Sequence, residues 1–292
     1  MTRRFARSIV PARAIVSVPS LSAMCLSAML LAACQRQAPA PVATPHAPGT
    51  AATAVAPAAT ASVAGGLHDV VETTPRYVIG ISYPKEAAAH PGLAAALKRY
   101  ADASRKDLLN AVEGLGNDTP TAPYELSLSF TTQANTPTII AIAADGYLYT
   151  GGAHGSPLIS RFVWLPQHDV QLTAQALVPE ASGWQAISDF VREQLHTALS
   201  QRIDADDVPA DERAGMLKEA GQMIDEGTGP TADAFSEFEP RLGADGKIEA
   251  LRFVFPPIQV GPYADGTQTV DVPADVLLPH VAAAYRGLFR GG

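Results

Sequence analysis

The sequence predicts an α+β fold: an antiparallel sheet with helices packed on one face, built as one domain or as two small subdomains. Three observations carry this. Short runs of alternating apolar and polar residues recur along the chain, several of them spaced for hairpins. Two long segments repeat apolar residues at intervals of three and four, as amphipathic helices do. Hairpins and isolated helices are interleaved, which fits a sheet covered on one side.

The elements follow in order. Residues 76–83 alternate Tyr77, Ile79, Ile81 and Tyr83 against Val78, Gly80 and Ser82, with Pro84 closing a strand. Pro91 opens a helix whose stripe runs through Leu93, Leu97, Tyr100, Ser104 and Leu108 and stops at Gly114-Leu115-Gly116. Residues 124–130 form the cleanest strand, with Tyr124, Leu126, Leu128 and Phe130 on one face. Residues 138–144 and 147–150 flank Asp145-Gly146, a dipeptide that closes hairpins. Another strand covers 160–165. Ser182 is positioned to cap a long helix through Trp184, Ile187, Val191, Leu195 and Ala198. Asp204, Asp206 and Asp207 mark a loop, and 211–224 reads as a second helix. Strands return at 235–238 and 248–255 around an Asp245-Gly246 turn. A last strand at 267–272 precedes a segment, 276–288, that is mostly helical and interrupted at Pro279.

The N-terminus is an address rather than part of the fold. Arg3, Arg4, Arg7 and Arg13 precede an apolar run that ends in Leu31-Ala32-Ala33-Cys34, the pattern of a secretory signal. The apolar run is shorter than the ~20 helical residues a membrane crossing needs. A cysteine after Leu-Ala-Ala resembles a bacterial lipoprotein signal, which implies cleavage before Cys34 and acylation of its thiol. Residues 1–33 are therefore expected to be a signal peptide. Residues 34–66, rich in Ala, Pro and Thr, are expected to be an extended tether. The folded part divides provisionally into 67–144 and 145–292.

Net charge is −8, and loss of the four signal-peptide arginines takes it to −12. Such acidity argues against nucleic acid, which is bound through clustered Lys and Arg, and favours a basic partner. With Cys25 in the signal and Cys34 lipidated, no intramolecular disulfide is expected, so an ordinary apolar core has to hold the fold. The histidines lack zinc spacing and the Asp204–Asp207 run lacks the glycine and distal glutamate of a calcium loop. No metal and no cofactor are expected.

Two segments stand out. The first ends in Tyr149-Thr150-Gly151-Gly152-Ala153-His154-Gly155, where three glycines surround one histidine. It is not a phosphate loop, because no Lys-Ser/Thr follows, and no Gly-x-Ser-x-Gly elbow supplies a nucleophile. No catalytic residue is assigned, and His154 is the one candidate, as a general base. The preferred reading is structural: His154 hydrogen-bonds the fold, so His154→Ala is expected to cost about 1–3 kcal/mol. The second segment is Gly261-Pro262-Tyr263-Ala264-Asp265-Gly266, two turns around a tyrosine. Tyr149, Gly151, Gly152, His154, Gly155, Gly261, Pro262 and Tyr263 make up the candidate binding or structural motif. The two loops are expected to lie together on one sheet.

The segments YLYTGGAHG (147–155), Phe162-Val163-Trp164, FVFPPIQVGPYADG (253–266) and Val272-Pro273 together resemble a known family. It is the extracytoplasmic domain of unknown function found in RsiV-type anti-sigma factors, at the C-terminus, and in PdaC-type peptidoglycan deacetylases. The likeness spans roughly residues 77–289. It implies an α+β module at the cell envelope, and in RsiV-type members a receptor for lysozyme. The chain departs from both relatives, since it carries neither a recognisable sigma-binding segment and spanning helix nor a deacetylase catalytic domain. Gln35 after Cys34 resembles outer-membrane lipoproteins. The expected function is a lipid-anchored envelope module facing the periplasm from the outer membrane. It would touch the membrane by its lipid alone and bind a basic protein such as lysozyme, or peptidoglycan. The alternative is a cell-wall hydrolase or esterase using His154.

Overall fold

Two strands that lie side by side and parallel need a crossover connection, usually a long helix, because a tight turn joins only antiparallel neighbours. That is how the fold begins in the computed structural model, which describes residues 66–206 and 208–292. The signal peptide, nearly all of the tether, Cys34 and Asp207 lie outside the described residues. Strands β1 (Val70–Thr73) and β2 (Tyr77–Ser82) pair antiparallel. Helix α1 (Pro91–Gly114) then crosses over to β3 (Tyr124–Asn135), which lies parallel to β2. From there β4 (Ile140–Tyr149), β5 (Ser156–Leu165) and the two-residue β6 (Val170–Gln171) add antiparallel, giving a six-stranded sheet in chain order. Helices α2 (Ala174–Leu177), α3 (Ala181–Ala205) and α4 (Ala210–Gly227) follow. Strands β7 (Phe238–Leu242), β8 (Ile248–Phe255) and β9 (Gln268–Pro273) make a second, antiparallel sheet. One-turn helices α5 (Ala274–Leu277) and α6 (Ala283–Arg286) end the chain.

The α+β reading holds, with a parallel pair, β2–β3, inside the larger sheet. Four local expectations change. Asp145-Gly146 is no turn: β4 runs straight through it, so residue 144, the provisional limit between the two halves, lies mid-strand. A side chain at Gly146 would run into the Ser127 carbonyl oxygen of β3, so this glycine serves close backbone approach within a strand. Helix α3 starts after Glu180 with no side-chain cap bond, rather than at a Ser182 cap. The strand expected at 235–238 starts only at Phe238, as β7, and a 3₁₀ turn, Ala232–Phe235, precedes it. Residues 276–288 contain only the end of α5 and α6 as helix. Asp245-Gly246 does turn the β7–β8 hairpin, with Gly246 at φ +74°.

Alternation along β5 divides the interior into two cores. Phe162 and Trp164 point towards α1 and join Leu93, Leu97, Leu126, Leu128 and Phe130. Val163 and Leu165 point the other way, into a core with Trp184, Phe235, Phe253 and Phe255 beneath α3 and the small sheet. Trp184 stacks on Phe235 with ring centroids 5.5 Å apart. With period-2 geometry, one strand serves as the wall of both cores.

The first part of β5 has no partner on its outer side, since β6 pairs only with Trp164 and Leu165. Such an edge invites unwanted pairing. Pro157 supplies no N–H there, and the Arg161 N–H donates to the Glu237 carboxylate. Proline and a capping carboxylate blunt the edge.

Candidate functional site

The two glycine-rich loops meet. The first connects β4 to β5 in the large sheet, and the second connects β8 to β9 in the small one. They come together across two sheets rather than on one. Gly151 (φ +98°) and Gly152 (φ +89°) take the left-handed backbone that lets the chain leave β4 and return as β5. Tyr149 Oη donates to the Gly152 carbonyl at 3.2 Å, and Tyr124 stands edge-on to Tyr149. In the second loop a single 3₁₀ turn, Tyr263–Asp265, follows Pro262 and is closed by Gly266 at φ +69°.

Gly155 is the meeting point. Tyr263 Oη donates to its carbonyl oxygen at 3.1 Å across 108 residues of sequence. A β-carbon at Gly155 would press on the Tyr147 ring at 3.2 Å. Beside it the His154 ring lies over Tyr263, centroids 5.4 Å apart and planes 29° from parallel. Leu148 faces the α1 core, so Tyr147 and Tyr149 project from the opposite face of the sheet. Tyr147 is 39% exposed and Tyr263 43% exposed. The result is an open surface of three rings, Tyr147, His154 and Tyr263. Glu125 borders it and its hydrogen bond holds the Tyr147 hydroxyl above the ordinary tyrosine pKa.

His154 corrects the structural expectation. It is exposed and makes no hydrogen bond among the described residues. Its removal therefore orphans no buried group. Among the described residues no hydroxyl, thiol or carboxylate is hydrogen-bonded to the ring, so no nucleophile–base pair is formed there. Gly261 is buried, and a side chain there would crowd Gln268, so its role is close packing. Pro262 and Tyr263 are exposed.

Sequence reasoning missed the residues that hold the second loop. Asp265 pairs with Arg202 of α3 at 2.7 Å, tying the loop to that helix. Gln259 donates to the carbonyls of Gly227 and Ala234 at 3.0 and 2.9 Å. Ile258 ahead of it has φ +78° and is 62% exposed, an unfavourable backbone for a β-branched residue. No local pattern announces these contacts, because each joins residues at least 25 positions apart.

Among the described residues no helix is long and apolar enough to cross a membrane. No group of His, Cys, Asp or Glu among them is placed to hold a metal ion.

The chain is similar to known proteins in two ways. Residues 70–157 match the model of the family described as Deacetylase PdaC. A DUF3298 family member from Bacteroides fragilis NCTC 9343 has a solved structure with 16% identity and a TM-score of 0.47, covering 77% of this chain and 96% of that one. A DUF3298 family protein from Pseudomonas aeruginosa PAO1 has 13% identity, the same coverage of both chains and a TM-score of 0.47. No curated protein matches. The family match begins at the first strand and ends just past the His154 loop.

Proposed function

We propose that this chain is a binding module of the cell envelope, anchored through Cys34 and facing the periplasm, that takes its ligand on the Tyr147–His154–Tyr263 surface. The observation behind this reading is the join at Gly155. Two loops from different sheets converge, yet the rings they bring together stay open to solvent. Tyrosines with an apolar body and a polar tip suit recognition of a partner. The hydrolase alternative loses its motivation, because His154 stacks on a ring instead of bonding a nucleophile.

A basic protein is the ligand class that the net charge of −12 beyond residue 33 favours, with lysozyme the sharpest candidate and peptidoglycan the other. The test is retention of the purified chain on immobilised lysozyme at physiological salt, with insoluble peptidoglycan in parallel. Retention should fall about tenfold in Tyr263→Ala with the fold intact by circular dichroism. Equal retention of an unrelated protein of the same negative charge would reduce the effect to general electrostatics and sink the lysozyme reading.

A further inference from the structure

Helix α4 carries more apolar surface than the fold covers. Leu217, Gly221 and Ile224, spaced for one helical face, turn towards α3. Met216, Ala220 and Met223 form a second stripe one position ahead. With Leu199 and Pro262 they line an open groove of about 320 Å³ between α3, α4 and the second motif loop. Met216 is 45% exposed. Unbranched, polarisable methionines on an open surface adapt to the side chains of a partner.

Charge says what that partner is. The segment 181–228 holds ten acidic and four basic residues, half of the net charge of residues 34–292. At the groove itself Arg202 is taken up by Asp265. Asp206 and Glu219 also line it and form no salt bridge among the described residues. An apolar floor with uncompensated carboxylates complements a segment that presents apolar side chains on one face and cations beside them.

We propose that the α3–α4 groove docks a cationic amphipathic segment of a protein partner. Its apolar residues would lie between Met216, Met223 and Pro262, and its Lys or Arg side chains against Asp206 and Glu219. The second motif loop carries Tyr263 on the ring surface and Pro262 in the groove, so one partner could touch both. Groove binding nevertheless stands apart from ligand binding at Tyr263.

The test uses the purified chain and a labelled synthetic helix of Leu and Lys, about 14 residues or four turns long, read by fluorescence anisotropy. Its scrambled isomer has equal charge but no apolar face. The amphipathic peptide should bind about tenfold more tightly than the scramble. Met216→Gln with Met223→Gln should remove that preference while leaving the melting temperature unchanged, and Glu219→Lys should weaken binding about threefold. Tyr263→Ala should leave peptide affinity as it is, which separates this site from the ring surface. Equal binding of the scramble, an unaffected double methionine variant, or no binding of the amphipathic peptide would each overturn the proposal.

Discussion

The motif junction and the Arg161 network tie the same two sheets together by opposite physics. At the junction one exposed hydroxyl meets one carbonyl, and two rings stack in solvent. In the network the Arg161 guanidinium, 9% exposed, reaches from β5 to Asp145 of β4 at 3.0 Å and to Glu239 of β7 at 3.3 Å. Its Nε lies at ion-pair distance from Glu239 without hydrogen-bond alignment. The residue's backbone N–H meanwhile donates to Glu237, just ahead of β7. A buried cation among carboxylates is costly to disturb, whereas an exposed stack is cheap to alter and free for a ligand. The two sheets are joined at one place by a buried charge network and at the other by exposed rings that a ligand can reach.

The largest expected effect comes from breaking the buried side. Arg161→Met removes the ion-pair partner of Glu239, itself 12% exposed, leaving only the cross-strand Arg252 charge near it. Stability should drop by about 3–5 kcal/mol in urea unfolding, the range for orphaning one member of a buried pair. Adding Glu239→Leu should return part of it, because the stranded charge is then gone. A loss under about 1 kcal/mol would rank the network with exposed salt bridges and remove the contrast.

A smaller effect sharpens the same side. Burial raises the Glu237 carboxyl above its ordinary pKa, against hydrogen bonds from the Arg161 N–H and Ser160 and the Arg161 charge, which lower it. Its folded value therefore exceeds its unfolded one. The stabilisation linked to its protonation is complete below the unfolded value and is lost as pH rises through the folded value. The wild type should thus gain stability over Glu237→Gln as pH falls from neutral towards the ordinary glutamate pKa. The gain is bounded by about 1.4 kcal/mol for each tenfold difference in proton affinity between the folded and unfolded carboxyl. A difference between the two proteins that does not vary with pH would show that the carboxyl titrates alike in both states.

The two Asp-Gly dipeptides show what could be read from the chain and what could not. Asp245-Gly246 sits between strands with no other partner at that point, so the local turn signal prevails. Asp145-Gly146 has the same chemistry, but β3 and β5 pair with it on either side, and satisfying both ladders outweighs the turn. Helix α1 was legible almost to the residue because Pro91 and the Gly114–Gly116 stop are local signals, and β8 because its pattern is long and regular. β1 and β6 are four and two residues long, too short to have a period. At the candidate site, composition pointed to both glycine-rich loops and to their proximity. It did not show that His154 would be exposed, because exposure depends on packing between residues far apart in the sequence. Arg161, Glu237 and the Arg202–Asp265 pair left no trace in local pattern for the same reason.

The smallest expected effect tests the exposed side directly. His154→Ala removes a solvent-exposed ring whose one described aromatic partner is Tyr263 and which accepts or donates no hydrogen bond among the described residues. The buried-histidine cost of about 1–3 kcal/mol does not apply, since no desolvated group is left unpaired. The change in unfolding free energy should stay within about 0.5 kcal/mol, as for surface substitutions away from structural features. Retention on immobilised lysozyme should nonetheless fall, because the ring contributes area to the open surface rather than to the core. Urea melts of the variant and wild type, run alongside the retention assay, give both readings from one preparation. Lost stability with unchanged retention would move His154 to the structural side of the comparison and leave Tyr147 and Tyr263 to carry recognition.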